Sequence, residues 1–164
     1  MVRIGFGTDS HRFDKSGTKP LVLGGVAINA KGGLAANSDG DVILHALFNA
    51  ISQACGGHSL GYYADPLFKR GVTDSTEYLK IALDMVKERG CRVHNIGVMI
   101  EAAQPRIPIA AIERMRRRIA ALTGVQESDV GITFTSGEGL SSFGRGEGVL
   151  AQAVVSLVRV QDQV

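Results

Sequence analysis

Asp9, His11 and His45 are the residues of this chain whose types could do chemistry together. Two neutral imidazoles and one carboxylate form the three-ligand set of a catalytic zinc site, which keeps its fourth position open. The single carboxylate leaves the ion a residual charge of about +1, suited to an anionic oxygen such as that of a phosphate. Asp9 and His11 belong to a stretch, residues 2–11, that alternates as a strand does. Ile4, Phe6 and Thr8 share one face; Gly5, Gly7, Asp9 and His11 share the other. Both candidate ligands therefore reach the same way from one strand end. His45 lies four residues after Asp41 and four before Asn49, so these three share a helix face. A polar helix face often serves only solvent, and an Asp-x-His pair is a weak motif by itself.

The elements that must position these residues follow from periodicity. Ser38 reads as the cap of the helix bearing His45, with Asp41 three residues on as a weak capping box. Ile43, Ala46, Leu47, Ala50, Ile51 and Ala54 repeat at helical spacing and form its core stripe. Backbone N–H groups after Asn37, at this helix start, offer a seat for a phosphate oxygen. Residues 21–28 read as one or two short strands bent at Gly24-Gly25, and residues 56–74 as an irregular stretch. A second helix runs from an Asp74 cap to Gly90, a strand covers residues 92–102, and a rigid loop covers residues 104–108. A third helix follows to Gly124, with Ile109, Ile112, Met115, Ile119 and Leu122 as its buried stripe. Strands at residues 130–135 and 149–160 flank a glycine-rich turn. The mixture predicts an α/β (α+β sandwich) fold: a mixed four- to five-stranded sheet with three main helices on one face.

Composition bounds the function. The chain has 164 residues, enough for a single domain spanning 1–164 with a real core. A net charge of +2, 45% hydrophobic and 21% charged residues describe a globular protein rather than a disordered or strongly nucleic-acid-binding one. The arginines at 114 and 116–118 fall mostly outside the buried stripe and have no interleaved aromatics, so a solvated basic face is the better reading. Cys55 and Cys91 have no metal or redox spacing. The start of the chain lacks signal-peptide design and no apolar run approaches spanning length, so a cytoplasmic protein with no membrane or nucleic-acid partner is expected.

Three blocks carry a resemblance. They are Gly5-Phe6-Gly7-Thr8-Asp9-Ser10-His11, then Asn37-Ser38-Asp39-Gly40-Asp41-Val42-Ile43-Leu44-His45-Ala46-Leu47, then Glu138 with Phe143-Gly144-Arg145-Gly146-Glu147-Gly148. In this order and spacing they resemble the 2-C-methyl-D-erythritol 2,4-cyclodiphosphate synthase family of the non-mevalonate isoprenoid pathway. Leu23-Gly24-Gly25-Val26 and Asp65-Pro66-Leu67-Phe68-Lys69 extend the resemblance nearly end to end. It implies cyclisation of 4-diphosphocytidyl-2-C-methyl-D-erythritol 2-phosphate, with CMP released. It implies a homotrimer with sites shared between subunits, Zn²⁺ on Asp9, His11 and His45, and a second ion, Mg²⁺ or Mn²⁺, on Glu138. By the same resemblance Asn37 and Ser136 stand at catalytic positions. Substrate contacts fall on Asp9, Ser10, His11, Asn37, Ser38, Ser59, Leu60, Gly61 and Asp65. Cytidine contacts fall on Ala102, Ala103, Gln104, Pro105, Arg106 and Ile107 and on Thr135, Ser136 and Gly137, with Glu138, Phe143 and Arg145 completing the substrate set.

The chain departs from the family pattern at several points. Asn37 replaces the usual histidine, and asparagine can donate a hydrogen bond but carries no titratable proton. Ser59 replaces an aspartate, the Gly61–Asp65 spacing is about three residues shorter than usual, and the Pro105–Pro108 segment is one residue short. These changes bear on substrate fit and rate more than on reaction class. A non-catalytic trimeric module binding nucleotides or isoprenoid phosphates on the same scaffold is the alternative.

Overall fold

The strand that carries Asp9 and His11 lies directly against the helix that carries His45. In the computed structural model, which describes residues 2–29 and 31–160, β1 spans Val2–Arg12 and α1 spans Val42–Ala54. A Cβ on Gly5 would come within 1.9 Å of the Ala50 carbonyl oxygen, and one on Gly7 within 2.2 Å of that of Ala46. The missing side chains let helix backbone rest on strand backbone. That contact sets the height of His45 above the strand end.

Three more strands complete the sheet. β1 pairs antiparallel with β6 (Gly148–Arg159), β6 antiparallel with β4 (Cys91–Glu101), and β4 parallel with β5 (Val130–Thr135), in the order β1-β6-β4-β5. A separate hairpin, β2 (Leu21–Leu23) and β3 (Val26–Asn29), turns at Gly24-Gly25 as the sequence predicts. The inner sheet face is aliphatic: Ala151, Ala153, Val155 and Leu157 of β6 and Ile96, Val98 and Ile100 of β4 are buried. They pack with α1, which is buried nearly all round, including Leu44 and Phe48 outside its predicted stripe. The outer face is open. Ile4 is 69% exposed, Phe6 46% and Val154 47%. Register sets Phe6 opposite Val154, Val154 opposite Gly97 and Gly97 opposite Gly131, an apolar row running into two glycines.

The helices number four among the described residues, not three. α3 (Ser75–Glu88) begins at its predicted Asp74 cap, which accepts the Thr76 N–H, and α4 (Ile109–Thr123) ends at Gly124 in the left-handed conformation. The extra helix, α2 (Leu60–Phe68), lies inside the stretch read as irregular. Gly61 and Asp65-Pro66 are turn signals locally, and Pro66 removes a helical donor. Tertiary contacts override them. Ala64 is buried, Leu60, Tyr63 and Leu67 pack on the core, and the Tyr63 ring lies 5.6 Å from that of Phe48. The predicted stripe of α4 also shifts. Ile109, in the first turn, is 75% exposed, and the buried line runs through Ala111, Met115 and Ile119.

The cap of α1 is Asp41, not Ser38. The Asp41 carboxylate accepts from Ile43 N and Leu44 N at 3.1 Å and, across the chain, from Gly24 N at 2.9 Å and Gly25 N at 2.6 Å. A buried carboxylate taking four backbone donors outcompetes a serine three residues earlier. Burial pushes the Asp41 carboxyl up, and the Gly25, Leu44 and Gly24 donors offset part of that. The phosphate seat expected after Asn37 is therefore not at the helix start, where the first N–H groups are taken. No helix among the described residues is long and apolar enough to cross a membrane. Met1 and Ala30, placed by the sequence in the first strand and in the loop before α1, lie outside the described residues.

Candidate metal centre and substrate cleft

β1 and α1 bring Asp9, His11 and His45 together. Asp9 Oδ2 lies 2.8 Å from His45 Nδ1 and 3.1 Å from His11 Nε2, and the two ring nitrogens lie 3.3 Å apart. Tetrahedral donors about 2.0–2.1 Å from a zinc ion sit about 3.3 Å from one another. The imidazole–imidazole edge matches that spacing, and the two edges to Asp9 are shorter, at 3.1 and 2.8 Å. Burial pushes the Asp9 carboxyl up, but hydrogen bonding to His11 and His45 and the charge of both rings outweigh it and hold it well below the usual carboxylate range. Asp9 is thus an anion facing two imidazoles, and one cation at their centre would satisfy all three. The donor set fits a divalent metal.

The triangle forms one wall of a cleft of about 350 Å³ lined also by Asn37, Ser38, Ser59, Leu60, Gly61 and Asp65. α2 supplies much of the facing wall, so the helix that local signals hid is part of the site. Asn49, one turn beyond His45, holds the two walls in register: its Oδ1 accepts from Leu60 N at 2.9 Å and its Nδ2 donates to Thr8 O at 3.2 Å. Beneath the Asn37-Ser38 segment, Lys19 Nζ donates to Ala36 O at 3.0 Å and also to Ser38 O. Ser38 is buried and its Oγ accepts from Gly40 N at 3.2 Å.

The other predicted contacts gather elsewhere. Ser10 alternates away from Asp9 and His11 and is exposed. Ala102 N donates to Thr135 O and Ala103 N to Phe143 O, each at 3.0 Å, which groups residues 102–107, the end of β5 and the glycine-rich turn. Ser136 caps a short 3₁₀ turn over Gly137–Gly139, and Glu138 within it is exposed with a φ of 46°. Arg145 Nε donates to Glu147 Oε1 at 3.2 Å and its guanidinium also reaches Ser142 Oγ at 3.1 Å. The chain thus carries two clusters: a metal-and-cleft half, and a half at the ends of β4 and β5.

Sequence reasoning gave no site role to four residues that shape the first cluster: Asn49, Lys19, Asp39 and Ser75. Asn49 alone had a signal, its helical spacing from His45. The other three act through contacts 17 to 36 residues distant in the chain.

Comparison with known proteins agrees with this geometry. Residues 2–158 match the YgbB family. A 2-C-methyl-D-erythritol 2,4-cyclodiphosphate synthase of Chlamydia caviae is 43% identical over 159 residues, covering 96% of this chain and 89% of its own, and one of Chlamydia felis is 42% identical over 160. Among solved structures, the bifunctional IspDF of Campylobacter jejuni superposes with a TM-score of 0.88 at 34% identity, over 98% of this chain and 43% of that one. A structure of a 2C-methyl-D-erythritol-2,4-cyclodiphosphate synthase bound to CDP superposes at 0.83 with 31% identity, over 95% of this chain and all of the other. With a family match across nearly its whole length and relatives this similar, the chain belongs to the YgbB family of 2-C-methyl-D-erythritol 2,4-cyclodiphosphate synthases.

Proposed function

We propose that this chain cyclises 4-diphosphocytidyl-2-C-methyl-D-erythritol 2-phosphate to 2-C-methyl-D-erythritol 2,4-cyclodiphosphate and CMP. The observation that carries the reading is the donor triangle of Asp9, His11 and His45 on one wall of a cleft, in a chain of this family. The substrate's own 2-phosphate oxygen forms a bond to the β-phosphorus, and the β-phosphorus–oxygen bond to the α-phosphate breaks as CMP leaves. No proton need move, so the protein's task is positioning and charge neutralisation. Zn²⁺ on Asp9, His11 and His45 and a second divalent ion on Glu138 would offset the repulsion between anionic nucleophile and anionic target and stabilise the leaving phosphate.

The chain's own residues do the rest. Ser38 and Asn37 line the cleft beside the triangle, where a hydroxyl and an amide can donate to phosphate oxygens. Ser59, Leu60 and Gly61 at the start of α2 face the methylerythritol carbons, with Asp65 further along the same wall. Ala102 to Ile107 and Thr135 to Gly137 hold the cytosine and ribose, with Ser136 at the diphosphate. Arg145, tethered by Glu147, adds positive charge near the phosphates.

The working unit is a homotrimer. The open outer sheet face, with Ile4, Phe6 and Val154 exposed, supports packing of three sheets against one another. The separation of the cytidine cluster from the metal cleft supports sites completed by a neighbouring subunit. The test is turnover of the cytidine-linked substrate with zinc and magnesium, read by phosphorus NMR. A cyclic diphosphate with CMP supports the reading, and binding without CMP formation, or inorganic phosphate release, sinks it.

A further inference from the structure

Beyond the donor triangle, the ring of His45 makes a second buried contact. Its Nε2 lies 2.8 Å from Ser75 Oγ, at the first residue of α3, and Ser75 is 1% exposed. Ser75 Oγ in turn donates to Asp39 Oδ1. Asp39 also accepts Ser75 N–H and Asp41 N–H, each at 3.1 Å, and its own N–H donates to Thr73 O at 2.9 Å. The Asp-Gly-Asp block before α1 is thereby stitched to the start of α3, with the histidine between them.

The direction of these bonds follows from counting protons. A carboxylate only accepts, and Asp39 receives three donors. The single hydroxyl proton of Ser75 is committed to Asp39, so Ser75 Oγ can only accept from His45. A neutral His45 that meets it carries its proton on Nε2 and leaves Nδ1 as a lone pair facing Asp9 and His11. Metal ligation through Nδ1 needs that tautomer; the competing one puts the proton on Nδ1, toward Asp9. Ser38 Oγ lies farther from the same Nε2, at 3.3 Å, and its hydroxyl can act either way.

We infer that Asp39 and Ser75 form a positioning relay that holds His45 as the Nε2–H tautomer and so raises the affinity of the metal centre. The inference rests on the metal reading above for its consequence, though not for its geometry. It gives Asp39, in the Ser-Asp-Gly-Asp block, a role outside the cleft: it acts on the metal through two other side chains. Ligating histidines whose outer N–H is held in this way typically lose 10–100-fold in metal affinity when the partner is removed.

Two measurements test the relay. Zinc affinity is measured by chelator competition for wild-type and Ser75→Ala protein, with urea unfolding as a check on folding. The expected result is a 10–100-fold weaker zinc complex in the variant; equal affinity overturns the relay. Nitrogen NMR of the His45 ring is then recorded in an Asp9→Ala background at pH about 8.5, above the ordinary histidine pKa of about 6.5. That background removes a metal ligand and the carboxylate acceptor, leaving only the more distant His11 Nε2 beside Nδ1, at 3.3 Å. A single Nε2–H tautomer there, lost when Ser75→Ala is added, supports the relay; a proton on Nδ1 overturns it. The ring measurement decides the case if Ser75→Ala does not fold. If wild-type protein takes up no zinc, the metal reading fails and the ring measurement still judges the relay.

Discussion

Replacing Gly7 with alanine tests whether the contact between β1 and α1 sets the metal geometry. The added Cβ would stand 2.2 Å from the Ala46 carbonyl oxygen and 2.4 Å from Ala50 N, where ordinary contact begins at 3.4 Å. Both obstacles are helix backbone, so no side chain can swing aside. Relief requires α1 to lift by about 1.2 Å, the gap between those two distances. His45 moves with the helix while Asp9 and His11 stay with the strand, so the 2.8 and 3.3 Å separations across the interface must widen. Metal–ligand distances in well-formed sites stay within about ±0.2 Å of their standard values. Overpacking of this kind costs about 1–3 kcal/mol, less up to about 1 kcal/mol for removing a strand glycine. Gly7→Ala should therefore unfold at lower urea, by about 1 kcal/mol net, and lose at least 100-fold in zinc affinity by chelator competition. A variant with wild-type stability and wild-type zinc binding would refute the reasoning, since the strand and helix would then be free to separate without consequence.

Two other substitutions probe separate features. Asp41→Ala removes the cap of α1, worth about 1 kcal/mol, and orphans the N–H groups of buried Gly24 and half-buried Gly25 at about 1–3 kcal/mol each, so urea unfolding should show a loss of roughly 3–7 kcal/mol; a loss under about 1 kcal/mol would mean that water or a nearby side chain takes over those donors. Phe6→Asp places a charge on the open apolar row of the sheet and should convert the proposed trimer to monomers in light scattering while far-ultraviolet dichroism stays unchanged, and an unchanged assembly would remove that face from the interface.

Legibility in the sequence followed the range of the interactions. The Asp9–His11 alternation and the helical phase of His45 are local, and both read correctly. The Asp74 cap of α3 and the Gly124 stop of α4 were equally plain, because cap chemistry is confined to one turn. The start of α1 was misjudged because Ser38 and Asp41 are both good caps, and what favours Asp41 is the Gly24-Gly25 turn arriving from elsewhere in the chain. α2 was hidden for a similar reason: its glycine and proline are helix-poor, and its stability comes from the packing of Ala64 and Tyr63. Asp39 and Ser75 could not be paired with His45 by any pattern, since the link from Ser75 to each crosses 30 to 36 residues.

The carboxylate of Asp41 also determines how the molecule breathes. One side chain accepts from the turn of the β2–β3 hairpin and from the first turn of α1. Neither can open alone without leaving the carboxylate short of donors in a buried site. The amides of Gly24, Gly25, Ile43 and Leu44 should therefore behave as one opening unit and exchange their hydrogens with solvent together. A short hairpin of nine residues that would otherwise fray acquires the protection of the central helix, and the loop bearing Asn37 is anchored between two parts that open as one.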